Sequence, residues 1–318
     1  MSSSQSTITL QHGQQLIMEN SPMNNKNAVH QSDLPTNVDW DNLPDVQNYL
    51  SARGAETNIQ KVGVKGVEIP IRYRARSGDP IKLKTNVSAY VSLTSETKGI
   101  NMSRLVRTLY DHIDGSLSVS LLQDVLKDYK DKLDSKESYV KFRFDYPMTQ
   151  MSLRSNLEGW QYYSSVLEGR MGDDDQVKIY LTVDYVYSSA CPCSYEMGQY
   201  VTEQTGEPVV SHSQRSTATV TVELDPTNVL LIEDLVEMMR AAIPTEVLVM
   251  CKREDEAEFA RLNGSNLLFC EDAARIAYDA LDGDDRVLDF SVVCAHHESL
   301  HKHDAISVIY KGIEGGLR

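Results

Sequence analysis

Cys191-Pro192-Cys193 and His212 are the residues in this chain whose types and spacing first point to chemistry. Thiolate and imidazole are ligands for zinc and iron, and a thiolate is also a nucleophile. A catalytic metal centre needs three protein ligands and an open position for water, so a cysteine, a histidine and a carboxylate suffice. Cys-x-Cys is equally the spacing of a redox pair or of two small buried side chains. The chain lacks the regular cysteine pairs of a structural zinc site. A second concentration of candidates is Glu298-Ser-Leu-His301-Lys-His303, since four of the eight histidines fall between His296 and His303. In extended backbone, positions 301 and 303 face the same way and both rings can look into one cleft. The alternative is a solvated polar loop. Lys252-Arg253-Glu254-Asp255-Glu256 reads as an exposed charged turn. Glu271-Asp272, at a helix start, either complements the helix dipole or accepts hydrogen bonds from an N–H/NH₂ edge such as that of guanine.

These residues need elements to hold them. Lys178, Tyr180, Thr182 and Asp184 alternate with Ile179, Leu181, Val183 and Tyr185, which predicts a half-buried strand ending at the cysteines, where Pro192 lacks an N–H. Ala218, Val220, Val222 and Leu224 predict the next strand, and an antiparallel return brings Cys191 and His212 to one end of a sheet. In the first half, strands are predicted at 67–74, 83–93, 139–146 and 159–167. Between them lie two helices, one capped by Ser103 and carrying Leu105, Leu109 and His112, the other carrying Leu121, Leu122, Val125, Leu126 and Tyr129. The second half repeats the order, with strands at 177–187 and 216–224 and a helix with Ile232, Leu235, Val236 and Met239 on one face, ending at Pro244. An extra strand is expected at Val247–Met250, then a helix with Ala273, Ala274, Ala277 and Leu281 stopped by Gly283, then strands at 287–294 and 305–310. The fold class is α+β, two tandem ββααββ units.

The bulk properties narrow the function. A chain of 318 residues with a formal charge of −15 is not built for general binding to nucleic acid or anionic membrane, although local Lys and Arg side chains can still hold a phosphorylated small ligand. No apolar run spans a bilayer, and the amino terminus lacks the hydrophobic stretch of a signal peptide. Five cysteines, an odd number, do not make a disulfide framework, so a cytoplasmic, reducing compartment is expected. Residues 1–42, rich in Ser, Gln and Asn, are expected to be a mobile tail. Residues 43–172 and 173–318 are expected to be the two modules.

Taken together, Leu43-Pro-Asp-Val-Gln47, Lys98-Gly-Ile-Asn-Met-Ser-Arg104, Ser189-Ala-Cys-Pro-Cys-Ser194, His212-Ser-Gln-Arg-Ser216, Lys252–Glu256, Phe269-Cys-Glu-Asp272 and Glu298–His303 resemble GTP cyclohydrolase IB. The resemblance runs from Leu43 to the end. It implies a tunnelling fold, in which ββααββ modules close into barrels by oligomerisation, and a homotetramer with sites at subunit interfaces. The implied reaction is metal-dependent hydrolysis of GTP to 7,8-dihydroneopterin triphosphate and formate, with zinc, manganese or iron as the divalent ion. The implied metal set is Cys191, His212 and Glu256. Cys191, Glu298, His301 and His303 are the implied catalytic residues, Glu271 anchors guanine, and Arg104, Arg215, Lys252 and Arg253 are candidates for the triphosphate. Asn101 replaces a histidine of the family motif, and the Cys193–His212 spacing is longer than the family's. Two other readings compete: a nicotinamide-dependent deazaguanine nitrile reductase of the same fold, whose cofactor motif finds no match here, and a non-catalytic purine or pterin binder.

Overall fold

Alternation of apolar and polar side chains sets the strands, and the strands form one sheet. The computed structural model describes residues 54–317 together with 38, 39, 42 and 43. The chain divides into units 1–46 and 47–318. Of the first, the described part is a local turn in which the Asn42 amide donates to Asp39 at 2.9 Å. The expected tail and most of Leu43–Gln47 lie outside the described residues.

In chain order the second unit contains β1 (Ile59–Arg74), β2 (Pro80–Leu93), α1 (Met102–Asp111), β3 (Ser116–Leu117), α2 (Val119–Leu133), β4 (Ser138–Met151) and β5 (Glu158–Met171). There follow β6 (Val177–Ala190), α3 (Pro192–Thr205), β7 (Ser213–Leu224), α4 (Ile232–Ala242), α5 (Arg253–Ser265), α6 (Cys270–Asp282), β8 (Val287–His296) and β9 (Ala305–Tyr310). The nine strands of the described residues hydrogen-bond in the order β3-β1-β2-β4-β5-β6-β7-β8-β9. Every pairing is antiparallel except β1 with the two-residue β3. The fold is α+β, and its first half has the expected ββααββ order with β3 added.

One face of the sheet carries the core. On β4, Val140, Phe142, Phe144 and Tyr146 are buried, while Lys141, Arg143 and Asp145 point the other way. α2 packs on β4 and β5, α4 on β6, and α6 on β8 and β9. Gly169 lets α2 approach, because a Cβ there would stand 2.9 Å from Leu126 Cδ1 and 3.6 Å from Leu122 Cβ. Buried tyrosines fix α4 and the segment that follows it. Tyr146 donates to Glu233 at 2.6 Å, Tyr185 to the Ile243 carbonyl at 2.8 Å, and Tyr163 to Glu246, which also accepts from Arg240 at 2.7 Å. A buried phenol or carboxylate left without such a partner costs about 1–3 kcal/mol, so these pairs define where α4 can sit.

Several expectations change. Val247–Met250 is not a strand: only Glu246 bridges to Tyr187. The Gln150 side-chain amide takes the place of a neighbouring strand, donating to the Val247 carbonyl at 2.9 Å and accepting the Val249 N–H at 3.0 Å. Lys252–Glu256 is no turn but the start of α5, where Asp255 at the third helical position accepts the Lys252 N–H at 2.7 Å. Asp255 also accepts the Arg154 and Ser155 N–H groups at 2.7 and 3.0 Å, which ties α5 to the β4–β5 loop. α3 was not expected at all. Asn101, not Ser103, stands at the cap position of α1 without a side-chain capping bond, and the Ser103 hydroxyl donates to the Asn101 side chain at 2.6 Å.

Candidate active site

Ala190 on β6 stands opposite Ser213 on β7, so the next residues outward are Cys191 and His212. They stay paired beyond the sheet. The Cys191 N–H donates to the His212 carbonyl at 3.1 Å, and the Ser211 hydroxyl donates to the Cys191 carbonyl at 2.9 Å. Pro192 ends the ladder and opens α3 at the position where a missing N–H costs nothing. Cys191 is therefore the cap of α3, its Sγ accepting the Ser194 N–H at 3.5 Å. Gly206, at φ 71, turns the chain back toward β7. The long Cys193–His212 spacing is this helical excursion, and it leaves the cysteine–histidine contact intact. Cys193 is exposed in the first turn of α3.

His212 is held by a relay. Its Nδ1 lies 3.1 Å from Gln214 Oε1, two residues along the same face of β7. The Gln214 amide donates to Ser189 Oγ at 2.7 Å, which stands 2.8 Å from Ser216 Oγ. With the donor end of the amide committed to serine, its carbonyl faces the ring. Nδ1 then carries the proton, and the Nε2 lone pair is free to bind. Glu298 Oε2 lies 3.8 Å from the same Nδ1, with both side chains largely buried.

His296, at the end of β8 opposite Ser216, is buried, and its Nε2 is 3.0 Å from the Tyr187 hydroxyl. Burial pushes its pKa down to about 4, against the opposing pull of Glu271, so the ring is neutral. Glu271 lies in the first turn of α6. Its own N–H holds its carboxyl below the usual range, helped by the Cys270 thiol, which donates at 3.3 Å. The segment leading into α6 crosses the end of β6, where the Leu268 N–H donates to the Ala190 carbonyl at 3.2 Å. The ends of β6, β7, β8 and α6 thus gather Cys191, His212, Glu298 and Glu271 at one end of the sheet.

The remaining expected residues lie elsewhere. His301 and His303 sit in the bent turn between β8 and β9 rather than on extended backbone, and both are exposed. Their rings stack, with centroids 4.8 Å apart and planes 8° apart. Glu256, Lys252 and Arg253 are exposed at the start of α5. Arg215 is exposed on β7, one residue from Gln214 and hence on the opposite face of the sheet. Arg104 donates to the Lys132 carbonyl at 3.0 Å, on a helix that packs on β1, four strand positions from β6. Among the described residues of this one chain, no three His, Cys, Asp or Glu side chains form a metal-holding group. The donor chemistry nevertheless fits a divalent ion: a thiol and an imidazole with a free Nε2 on adjacent strand ends, and a carboxylate beside them.

Residues 43–307 match the family described as type I GTP cyclohydrolase folE2 (GCHY-1). The chain belongs to the FolE2 family. GTP cyclohydrolase FolE2 of Dinoroseobacter shibae is 48% identical over 276 residues, 86% of this chain and 75% of that protein. GTP cyclohydrolase FolE2 of Ruegeria pomeroyi is 45% identical over 273 residues, 85% of this chain and 74% of that protein. A uricase from Arthrobacter globiformis superposes with a TM-score of 0.47 at 8% identity, over 81% of this chain and 95% of that one. The expected GTP cyclohydrolase family is thus met under the FolE2 name. The sequence reading missed Gln214, Ser189 and His296, although Gln214 stands at the strand period from His212, where a positioning residue could have been sought.

Proposed function

We propose that this FolE2 protein is a metal-dependent GTP cyclohydrolase of the IB type, which converts GTP to 7,8-dihydroneopterin triphosphate and formate. The observation that carries the reading is Cys191 beside His212, with the His212 Nδ1 occupied by Gln214. Cys191 and His212 would hold a divalent cation, zinc, manganese or iron, with Glu256 as the third donor. A bound divalent cation would supply Lewis acidity, lowering the pKa of water toward neutrality. The reaction opens the guanine imidazole ring at C8, loses formate, then rearranges the sugar and closes the pterin ring. Protons must be delivered at N7 and at the ribose ring oxygen, work for Glu298, His301 and His303. Glu271, with its carboxyl held ionised, accepts from the N–H/NH₂ edge of guanine. Arg104, Arg215, Lys252 and Arg253 are available to the triphosphate.

One chain spreads these groups over both faces of the sheet, which favours sites completed between subunits of a cytoplasmic homotetramer. The sheet ends in β3 and β9, and β9 exposes Ile306, Val308 and Tyr310 at 62%, 50% and 47%. Joining such edges and apolar side chains in barrels of the tunnelling type removes both from water. In that assembly, 43–172 and 173–318 act as its two modules.

The test is formate release from GTP by purified full-length protein of measured metal content. Metal-replete protein that releases no formate would overturn the proposal. Mixing Cys191→Ala with Glu271→Ala under subunit exchange tests the interface: regained activity places the two residues on different chains, and a fully active monomer at high dilution excludes the shared site.

A further inference from the structure

Against a net charge of −15, the face of the sheet turned away from the core carries a concentration of cations. A groove of about 210 Å³ runs over β1, β2, β4 and β5, lined by Lys61, Lys65, Lys141, Arg143, Tyr139 and Glu168. Strand register places them together: Lys65 is opposite Ser88, Ser88 opposite Lys141, and Lys141 opposite Glu168. Tyr139, next along that face of β4, is opposite Arg170. Glu168 is the one carboxylate lining the groove, and it is already shared: it pairs with Lys141 at 2.5 Å and with Arg170 at 2.7 Å. Lys65 and Arg143 make no ion pair among the described residues, and Lys61 rests on the Tyr139 ring at 4.1 Å. Five cations, the four that line the groove and the neighbouring Arg170, therefore meet two carboxylates, Glu168 and Glu137, the second already held by the Tyr139 hydroxyl at 2.6 Å, and none of the described helices packs over this part of the sheet face.

The Lys61 ammonium is pushed below the usual lysine range, first by burial and then by the Arg170 guanidinium. An incoming anion relieves both the crowding and the lost hydration. The groove is smaller than the 300–1,000 Å³ usual for drug-sized ligands, and a face of the Tyr139 ring is covered by Lys61. A volume of this size suits a compact multiply charged anion better than a whole nucleoside. We infer that this groove binds an oligophosphate anion, either free or as the triphosphate tail of a nucleotide, at a site separate from the Cys191–His212 centre.

Inorganic tripolyphosphate is the probe, titrated calorimetrically into the full-length protein at fixed metal content. Binding should weaken with added salt. Lys65→Ala/Arg143→Ala removes two exposed side chains without touching the core and should weaken binding by roughly tenfold or more. Glu168→Gln frees Lys141 and Arg170 and should tighten it, a change of the opposite sign that a loss of folding cannot imitate. GTP competition separates the sources: displacement of tripolyphosphate by saturating GTP identifies the nucleotide tail, and persistence identifies the free anion. Absent binding to the wild type, or equal affinity in all three proteins, overturns the inference. None of these readouts depends on turnover, so the site stands or falls apart from the cyclohydrolase reading.

Discussion

Replacing Gln214 by leucine keeps the bulk of the side chain and deletes both ends of the relay. The ring loses its partner at 3.1 Å and Ser189 loses a donor at 2.7 Å, while Ser189 keeps Ser216 at 2.8 Å. Each hydrogen bond is worth about 0.5–1.5 kcal/mol net, so the fold should lose roughly 1–3 kcal/mol and still form. The larger effect is on the ring. Without an acceptor at Nδ1, the imidazole can rotate and its proton can move to Nε2, the nitrogen needed for binding. Loss of such a supporting partner typically costs 10–100-fold in metal affinity, which is about 1.4–2.7 kcal/mol. Metal content after dialysis at graded chelator strength reads this directly, with formate release from GTP as the second measure and circular dichroism to confirm folding. Gln214→Glu restores an acceptor and should recover part of the affinity. A leucine variant that binds metal and turns over within twofold of the wild type would refute the role given to the relay.

Cys191→Ala should abolish formate release while costing little stability, because the Sγ cap on Ser194 is long at 3.5 Å; a variant with near-normal turnover removes Cys191 from the chemistry. Glu271→Gln should raise the KM for GTP far more than it lowers metal content, since the amide loses the charge-assisted pairing to guanine; equal loss of both would move Glu271 to the metal. His296 should make the fold acid-sensitive. Its folded pKa of about 4 lies below the unfolded value of 6.5, so its contribution is complete above pH 6.5 and is lost as pH falls toward 4. The full contribution is about 3 kcal/mol, of which about 2 kcal/mol is lost by pH 5, and the melting temperatures of wild type and His296→Gln should converge between pH 7 and pH 5. Parallel curves would show that burial of this imidazole does not govern acid stability.

The strands were legible because one face of each is buried: the alternation in 177–187 and 216–224 marked β6 and β7, and Pro192 marked where β6 ends. That alone put Cys191 next to His212. α3 was hidden because its face is barely apolar, with only Gly198 buried, so no helical period stands out. Val247–Met250 looked like a strand for the converse reason: its apolar run is real, but Gln150 from a distant strand satisfies its backbone. α5 was masked by its charges, and its start depends on Asp255 bonding to Arg154 and Ser155, about a hundred residues away. The relay behind His212 was half visible. Gln214 follows from the strand period, but Ser189 is on another strand, and only the register brings it within reach.

The strand order has a consequence for how the chain comes to life. Apart from β3, spatial order follows sequence order, so each new strand pairs with the last one made and loop closure stays short where hairpins join the strands. Synthesis delivers β1 to β5 first, at about 5–20 residues per second, and their helical cover with them. The residues gathered at the ends of β6, β7, β8 and α6 all arrive later, on an edge already templated by β5. A truncated chain ending before β6 would therefore expose β5 as an unprotected edge, a hazard for aggregation, and would hold none of Cys191, His212, Glu271 and Glu298.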